Sequence, residues 1–171
     1  MKAFRRETVD WEAVYWQQTP RIYNFFRYRL NGDNHAAQDL TSITLEKAWR
    51  FRQQYRSDLG AFEAWLFTIA RHVAADYLRQ PIHDLPLEWI EDIPAPDSPE
   101  TELLWQETTT SLNQLLQRLP PRHQELIALK YGADLNNRAI ARITGISESN
   151  VGTLLHRIIL KLRSEWEKVY E

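Results

Sequence analysis

The chain of 171 residues contains no cysteine, which excludes disulfide bonds, thiolate nucleophiles and thiolate metal sites. It has only 5 glycines, fewer than the turns of doubly wound and barrel folds usually need, so an all-α fold is favoured. No apolar run reaches the roughly 18 residues of a membrane span, and the charged start MKAFRRETVDWEAV lacks a signal segment. We therefore expect a soluble, cytoplasmic, all-α protein.

Signatures of catalysis are missing as well. The sequence has no glycine-rich phosphate loop, no nucleophile beside a base and no cluster of metal ligands. His72 and Asp76 stand four residues apart, but a metal site needs three or four ligands, and a surface polar pair is the simpler interpretation. We therefore expect no enzymatic activity, no cofactor and no metal.

Charge is distributed unevenly behind a net charge of −2. Residues 1–80 carry 12 Lys/Arg against 9 Asp/Glu, and residues 108–171 carry 9 against 6, whereas residues 81–107 carry 8 acids and no Lys or Arg. Five prolines also interrupt this acidic stretch. The pattern predicts two small, separately packed helical domains, 1–80 and 108–171, joined by an acidic proline-rich linker. That linker is either a solvated spacer or a nucleic-acid mimic that occupies a basic channel.

Amphipathic helical spacing fills the first half of the chain. We predict one helix beginning at Thr19-Pro20, a second over about 34–53, and a third beginning near Ala61. Basic and aromatic residues alternate around the loop between the second and third helices. Such a surface suits single-stranded nucleic acid, whose bases stack on rings, but the same aromatics would also serve as ordinary core.

The second half has the spacing of a helix-turn-helix. Asn136 or Asn137 is placed to cap a short helix, Gly145 to supply a turn with positive φ, and Ser147 to cap a long final helix. The first turns of that last helix expose polar side chains able to bond base edges, with basic residues further along. A helical hairpin used only for protein contact is the alternative interpretation.

Together the two halves resemble bacterial RNA polymerase sigma factors of the sigma-70 family, of the compact ECF (group four) type. AAQDLTSITLEKAW (36–49) is similar to the family's polymerase-binding helix, and AFEAWLFTIARHVAADYLRQ (61–80) to the helix after its promoter-melting loop. LPPRHQELIALKYGADLNNRAIARITGISESNVGTLLHRIILKLRSEW (119–166) is similar to its DNA-binding fourth region. The match extends over nearly the whole chain.

The resemblance implies roles for particular residues. The polymerase-binding set is Asp39, Leu40, Ser42, Ile43 and Glu46. The set that opens and holds the −10 element is Arg52, Tyr55, Arg56, Phe62, Arg71, His72 and Arg79. The set that reads the −35 element is Arg138, Ser147, Ser149, Asn150, Thr153, Arg157 and Lys161. The implied partners are core RNA polymerase, promoter DNA and an anti-sigma factor, and the linker would pass through the polymerase channels.

Some positions depart from the family pattern. The family often has basic residues where Gly152 and Leu154 stand, and each lost phosphate contact weakens DNA binding. Either the affinity for the −35 element is therefore modest, or its contacts shift toward Arg138, Arg142 and the Asn136-Asn137 corner.

Two other functions remain as alternatives: a helix-turn-helix regulator that never engages polymerase, and a sigma-like decoy that does not open promoters.

Overall fold

The computed structural model describes residues 9–80 and 99–170, and within these ranges the chain forms helices and no strand. The seven α-helices are α1 (Trp11–Arg29), α2 (Asn34–Arg50), α3 (Phe62–Arg79), α4 (Pro99–Gln117), α5 (Pro121–Ile127), α6 (Asn137–Thr144) and α7 (Glu148–Tyr170). This confirms the all-α prediction. In the described ranges no helix combines the length and apolar character needed to cross a bilayer.

Helix α1 begins earlier in the chain than the sequence pattern predicts. The side chain of Asp10 accepts hydrogen bonds from the backbone N–H groups of Glu12 and Ala13, both at 3.1 Å, and so caps the helix at Trp11. The predicted start at Thr19-Pro20 is wrong, because Pro20 lies inside α1. Proline there removes one N–H donor, and the turn is exposed, so water can hydrate the carbonyl left without its helical partner.

The first three helices bury a common set of apolar side chains. Phe25 and Phe26 of α1 are fully buried together with Leu66 and Phe67 of α3. Asp33 caps α2 by accepting from the N–H of Ala36 at 2.9 Å. A short 3₁₀ turn, Arg52–Gln54, and a loop then lead into α3. The predicted second and third helices are confirmed, although α2 ends at Arg50 rather than near residue 53.

The second half forms the predicted helix-turn-helix. Asn136 caps α6 by accepting from the N–H of Ala139 at 2.8 Å, and Gly145 ends it with a left-handed φ of 73°. The hydroxyl of Ser147 then accepts from the N–H of Asn150 at 3.2 Å and caps α7. Val151 and Ile158 of α7 pack inward with Ile140 of α6, which fixes the two helices against each other.

The two halves are in direct contact. Their buried side chains form one continuous cluster that runs from Ile22 to Ile158. Helix α5 continues into a π-helical turn, Ala128–Gly132, which packs on α1, while α6 packs on α3. In this arrangement of the chain the two helical halves therefore pack against each other rather than standing apart. The acidic stretch over 81–98 lies outside the described residues.

Candidate nucleic-acid interface

One side of α2 presents a mixed acidic and apolar surface. Asp39, Ser42, Ile43 and Glu46 are all exposed and recur at helical spacing, and we call them the α2 face. Glu46 pairs with Arg50 one turn later, an exposed ion pair at 2.5 Å. Leu40 is only 5% exposed and packs in the core, so its side chain does not belong to this face.

Five aromatic rings gather where α1, α2 and α3 meet the loop after α2. This aromatic cluster consists of Trp11, Trp49, Tyr55, Phe62 and Trp65. Phe62 lies at its centre, with ring centroids 5.2 Å from Tyr55, 5.5 Å from Trp65 and 5.8 Å from Trp11. Phe62 meets Tyr55 and Trp11 edge to face and Trp65 at a tilt, and such ring contacts favour fixed orientations.

The outer edge of the aromatic cluster is open to solvent and positively charged. Trp49 is 51% exposed, and the guanidinium of Arg52 lies 4.1 Å from its ring centroid. Arg52 also donates to the carbonyl of Trp49 at 2.8 Å, which fixes the guanidinium over the ring. An exposed ring beside an arginine offers a stacking surface for a base and a cation for its phosphate.

The loop that follows is closed by a local ion pair. Arg56 donates to both carboxylate oxygens of Asp58, at 3.1 and 2.6 Å. The hydrogen bond from Arg56 lowers the pKa of Asp58, and the same pairing raises the pKa of Arg56. Both side chains are exposed, so this pair leaves Arg56 accessible but partly neutralised.

The seven residues predicted to hold the −10 element are not all brought together. Arg52, Tyr55, Arg56 and Phe62 surround the loop, but Arg79 lies about 26 Å from Phe62 along α3, given the helical rise. Arg79 pairs with Asp76 at 3.0 Å, and His72 is exposed. Among the residues that the structure describes, no group of three or more possible metal ligands occurs.

Arg71 points toward the second half. Its Nε donates to Glu125 at 2.7 Å and its Nη1 to the carbonyl of Ile143 at 3.2 Å. Glu125 is largely buried, with 13% of its side chain exposed. Two donors of this guanidinium, Nε and Nη1, are thus engaged by the second half in this arrangement.

Helix α7 displays the predicted polar surface. Ser147, Ser149, Asn150, Thr153, Arg157 and Lys161 are all exposed, as is Arg138 on α6. Arg157 and Lys161 are one turn apart and extend the surface toward the C-terminus. Because Val151, Leu155 and Ile158 anchor the opposite side in the core, α7 is held rigidly with its polar side outward. An α-helix presented in this way fits the DNA major groove.

The sequence pattern did not point to Trp11 and Trp49, which the structure places in the aromatic cluster. Trp11 enters the aromatic cluster only because α1 begins one residue after Asp10. The sequence does contain a signal for this helix start, since Asp10 followed by Glu12 is typical of one. The pair Thr19-Pro20 is also typical of a helix start and so gives a competing prediction. Trp49 stands one turn before Arg52, a spacing that brings the two together when the helix ends in a tight turn.

Comparisons with known proteins match both halves. The family described as Sigma-70 region 2 matches residues 17–81, and the family described as Sigma-70, region 4 matches residues 109–162. The chain belongs to the sigma-70 family of RNA polymerase sigma factors, in its ECF group. Sigma factors are transcription initiation factors rather than enzymes, and the predicted family is thereby confirmed.

Two curated sigma factors illustrate the relationship. The ECF RNA polymerase sigma factor BldN of Streptomyces coelicolor is 31% identical over 152 residues, which are 87% of this chain and 57% of BldN. The chain thus spans little more than half of BldN. RNA polymerase sigma factor YlaC of Bacillus subtilis is 29% identical over 167 residues, 94% of each chain.

Solved structures share the fold. The sigma factor RpoE of Bartonella quintana, determined in complex with the anti-sigma factor NepR, superimposes with a TM-score of 0.68 at 21% identity. The alignment covers 92% of this chain and 97% of RpoE. This likeness supports the fold of two helical domains.

Proposed function

We propose that this sigma factor is a dissociable initiation subunit that binds core RNA polymerase and directs it to particular promoters. The α2 face would contact polymerase, the aromatic cluster and its loop would hold the −10 element, and α7 would read the −35 element. The domain limits 1–80 and 108–171, the linker over 81–107 and a cytoplasmic location belong to the same proposal.

The observation that carries the proposal is the exposed polar side of α7, displayed by a capped helix-turn-helix. Serine, asparagine and threonine near its start are suited to bond base edges, and Arg157 and Lys161 to reach phosphates. A protein-only hairpin would not need such a polar first turn. Only a few basic residues flank it, so we expect free protein to bind duplex promoter DNA weakly and polymerase to supply the remaining affinity.

The aromatic cluster supports a role in promoter opening. Bases flipped from the non-template strand would stack against exposed rings such as Trp49, with Arg52 and Arg56 near their phosphates. Stacking contributes about 1–3 kcal/mol per base, which offsets the cost of unpairing an AT-rich segment. The rigid packing around Phe62 keeps these rings in place before DNA arrives.

Polymerase binding is tested by reversing one charge on the α2 face. Asp39→Arg should abolish co-purification with core RNA polymerase while leaving the melting temperature unchanged, because Asp39 is exposed. Glu12→Arg is the matched control, since it makes the same change of charge at an exposed position on α1. Retention of polymerase by the Asp39 variant, or equal loss in both variants, would refute the assigned face.

A further inference from the structure

The ring of Trp11 joins the two sides of the loop after α2. Its centroid lies 5.4 Å from that of Trp49, near the end of α2, and 5.8 Å from that of Phe62, at the start of α3. Both pairs are edge to face, and Trp11 itself is half-buried against the core. One side chain of α1 thus contacts both of the helices between which the loop is held.

Each of these two partner rings in turn contacts a side chain of the loop. The guanidinium of Arg52 lies 4.1 Å from the ring centroid of Trp49, and Arg52 donates to the Trp49 carbonyl at 2.8 Å. The ring of Phe62 lies 5.2 Å from that of Tyr55. A change in the position of Trp11 would therefore be felt by both the arginine and the tyrosine of the loop.

The place of Trp11 depends on the cap of α1. Trp11 is the first residue of the helix, and the Asp10 carboxylate accepts hydrogen bonds from the N–H groups of Glu12 and Ala13, both at 3.1 Å. Without this cap the first turn would leave these donors unsatisfied and would fray. The cap therefore holds the ring of Trp11 against its two partners.

The ring that Trp11 orients is only partly covered. Trp49 is 51% exposed, so one surface of its ring remains open to solvent beside Arg52. An exposed tryptophan without such support would have to give up rotamer freedom when a base stacks on it. Because Trp11 meets Trp49 edge to face, part of that ordering cost is met before DNA arrives.

We propose that Trp11 is a positioning residue for −10 recognition: it holds Trp49 and Arg52 in the orientation that receives an unpaired base and its phosphate. The proposal rests on the proposed function, because it assumes that Trp49 meets −10 DNA. Loss of Trp11 should therefore weaken the capture of unpaired bases and leave polymerase binding by the α2 face unchanged.

Three variants on α1 test the ring itself. Trp11→Ala removes both edge-to-face contacts, whereas Trp11→Phe keeps an aromatic edge and should rescue binding. Trp16→Ala is the matched control, because it makes the same substitution on the same helix at a side chain that is 71% exposed and outside the aromatic cluster.

Two further variants displace Trp11 without changing it. Asp10→Ala removes the cap, whereas Asp10→Asn keeps a side chain that caps about as well. Both substitutions remove the same negative charge, so a difference between them reports the cap and not the attraction of the protein for DNA.

The measurement is equilibrium binding of a short fork-junction DNA by holoenzyme reconstituted with core polymerase. The DNA carries the single-stranded −10 element of a promoter that the parent protein uses in run-off transcription, and it lacks a −35 element. Trp11→Ala should bind about fivefold more weakly than the parent, since one edge-to-face pair contributes about that factor. Asp10→Ala should bind more weakly than Asp10→Asn, and Trp16→Ala and Trp11→Phe should match the parent. All variants should bind core polymerase as the parent does.

A double-mutant cycle separates positioning from a general structural role. Trp49→Ala removes the ring through which Trp11 acts, so adding Trp11→Ala to it should change the dissociation constant by less than about twofold. Additive losses, or equal binding by Trp11→Ala and Trp16→Ala, would overturn the proposal. If Trp11→Ala does not fold, the Asp10 pair decides, and equal binding by its two members would overturn it. The proposed function fails separately, if parent holoenzyme initiates at no promoter.

Discussion

At the scale of single residues, the loop after α2 carries an arginine suited to bind DNA phosphates and an aspartate that pairs with this arginine. Arg56 is an exposed cation near the aromatic cluster, yet Asp58 accepts hydrogen bonds from two of its donors. The pKa of Asp58 is lowered, so its carboxylate stays charged at neutral pH. The Arg56–Asp58 ion pair is therefore lost only when the pH falls through that lowered pKa. At neutral pH Asp58 therefore limits the affinity of the loop for phosphate.

Removing this restraint should strengthen DNA binding. Asp58→Asn keeps the size of the side chain but removes its charge, so the Arg56 guanidinium becomes available to bind a DNA phosphate. We expect tighter binding of a −10 oligonucleotide and a salt dependence steeper by about 0.7 in the log–log slope, which corresponds to one added phosphate contact on a single strand. Fluorescence anisotropy from low to high salt measures both, and an unchanged slope would contradict the role of Arg56.

Phe62 should determine the stability of the aromatic cluster. Phe62→Ala removes three ring contacts from a half-buried site and should lower the free energy of unfolding by about 2 kcal/mol, less than for a fully buried ring. Leu59→Ala serves as the control, because Leu59 is 74% exposed and should cost little. Urea unfolding compares them, and equal losses would show that the cluster does not hold the loop.

At the scale of elements, the helix-turn-helix was the most predictable part of the chain. Its signals are local: an asparagine cap, a glycine turn and a serine cap each act within four residues of their own position. The start of α1 was less predictable, because Pro20 satisfies the rules for a first helical position equally well in isolation. Only the cap at Asp10 and the packing of Trp11 decide between the two.

The turn between α6 and α7 gives a stability prediction that depends on backbone conformation alone. Nothing lies within 4 Å of a Cβ atom built on Gly145, but its φ is 73°. Gly145→Ala should therefore cost about 1 kcal/mol, and Gly145→Asn less, because asparagine tolerates the left-handed region. Thermal unfolding checks the order of the two variants, and an alanine variant as stable as the parent would contradict the assigned conformation.

Helix α7 gives an element-scale prediction for DNA. Arg157→Ala and Lys161→Ala should each weaken promoter binding by the holoenzyme and reduce its salt slope by about 1. Arg163→Ala removes the same charge from an exposed position on a different side of α7 and should change neither. Electrophoretic mobility shifts at several salt concentrations measure the slopes, and a larger effect of Arg163 would show that another side of the helix faces DNA.

At the scale of the whole molecule, the contact between the halves was not predictable from the sequence. Gly132 reads locally as a helix terminator, and its close approach to Asn24 joins positions more than a hundred residues apart. The same is true of Arg71, whose motif position implies a DNA contact, whereas the structure places it on Glu125. Local sequence patterns specify caps, turns and amphipathic faces. Which other helix packs against a given face is determined only by the tertiary fold.

As a sigma factor, this chain should give polymerase a promoter specificity that polymerase alone lacks. Run-off transcription with purified core RNA polymerase and a library of genomic promoter fragments measures this most directly. We expect discrete start sites that appear only when the folded protein is added and that disappear with Asp39→Arg. An absence of start sites, with the protein shown to be folded by its circular dichroism, would contradict it.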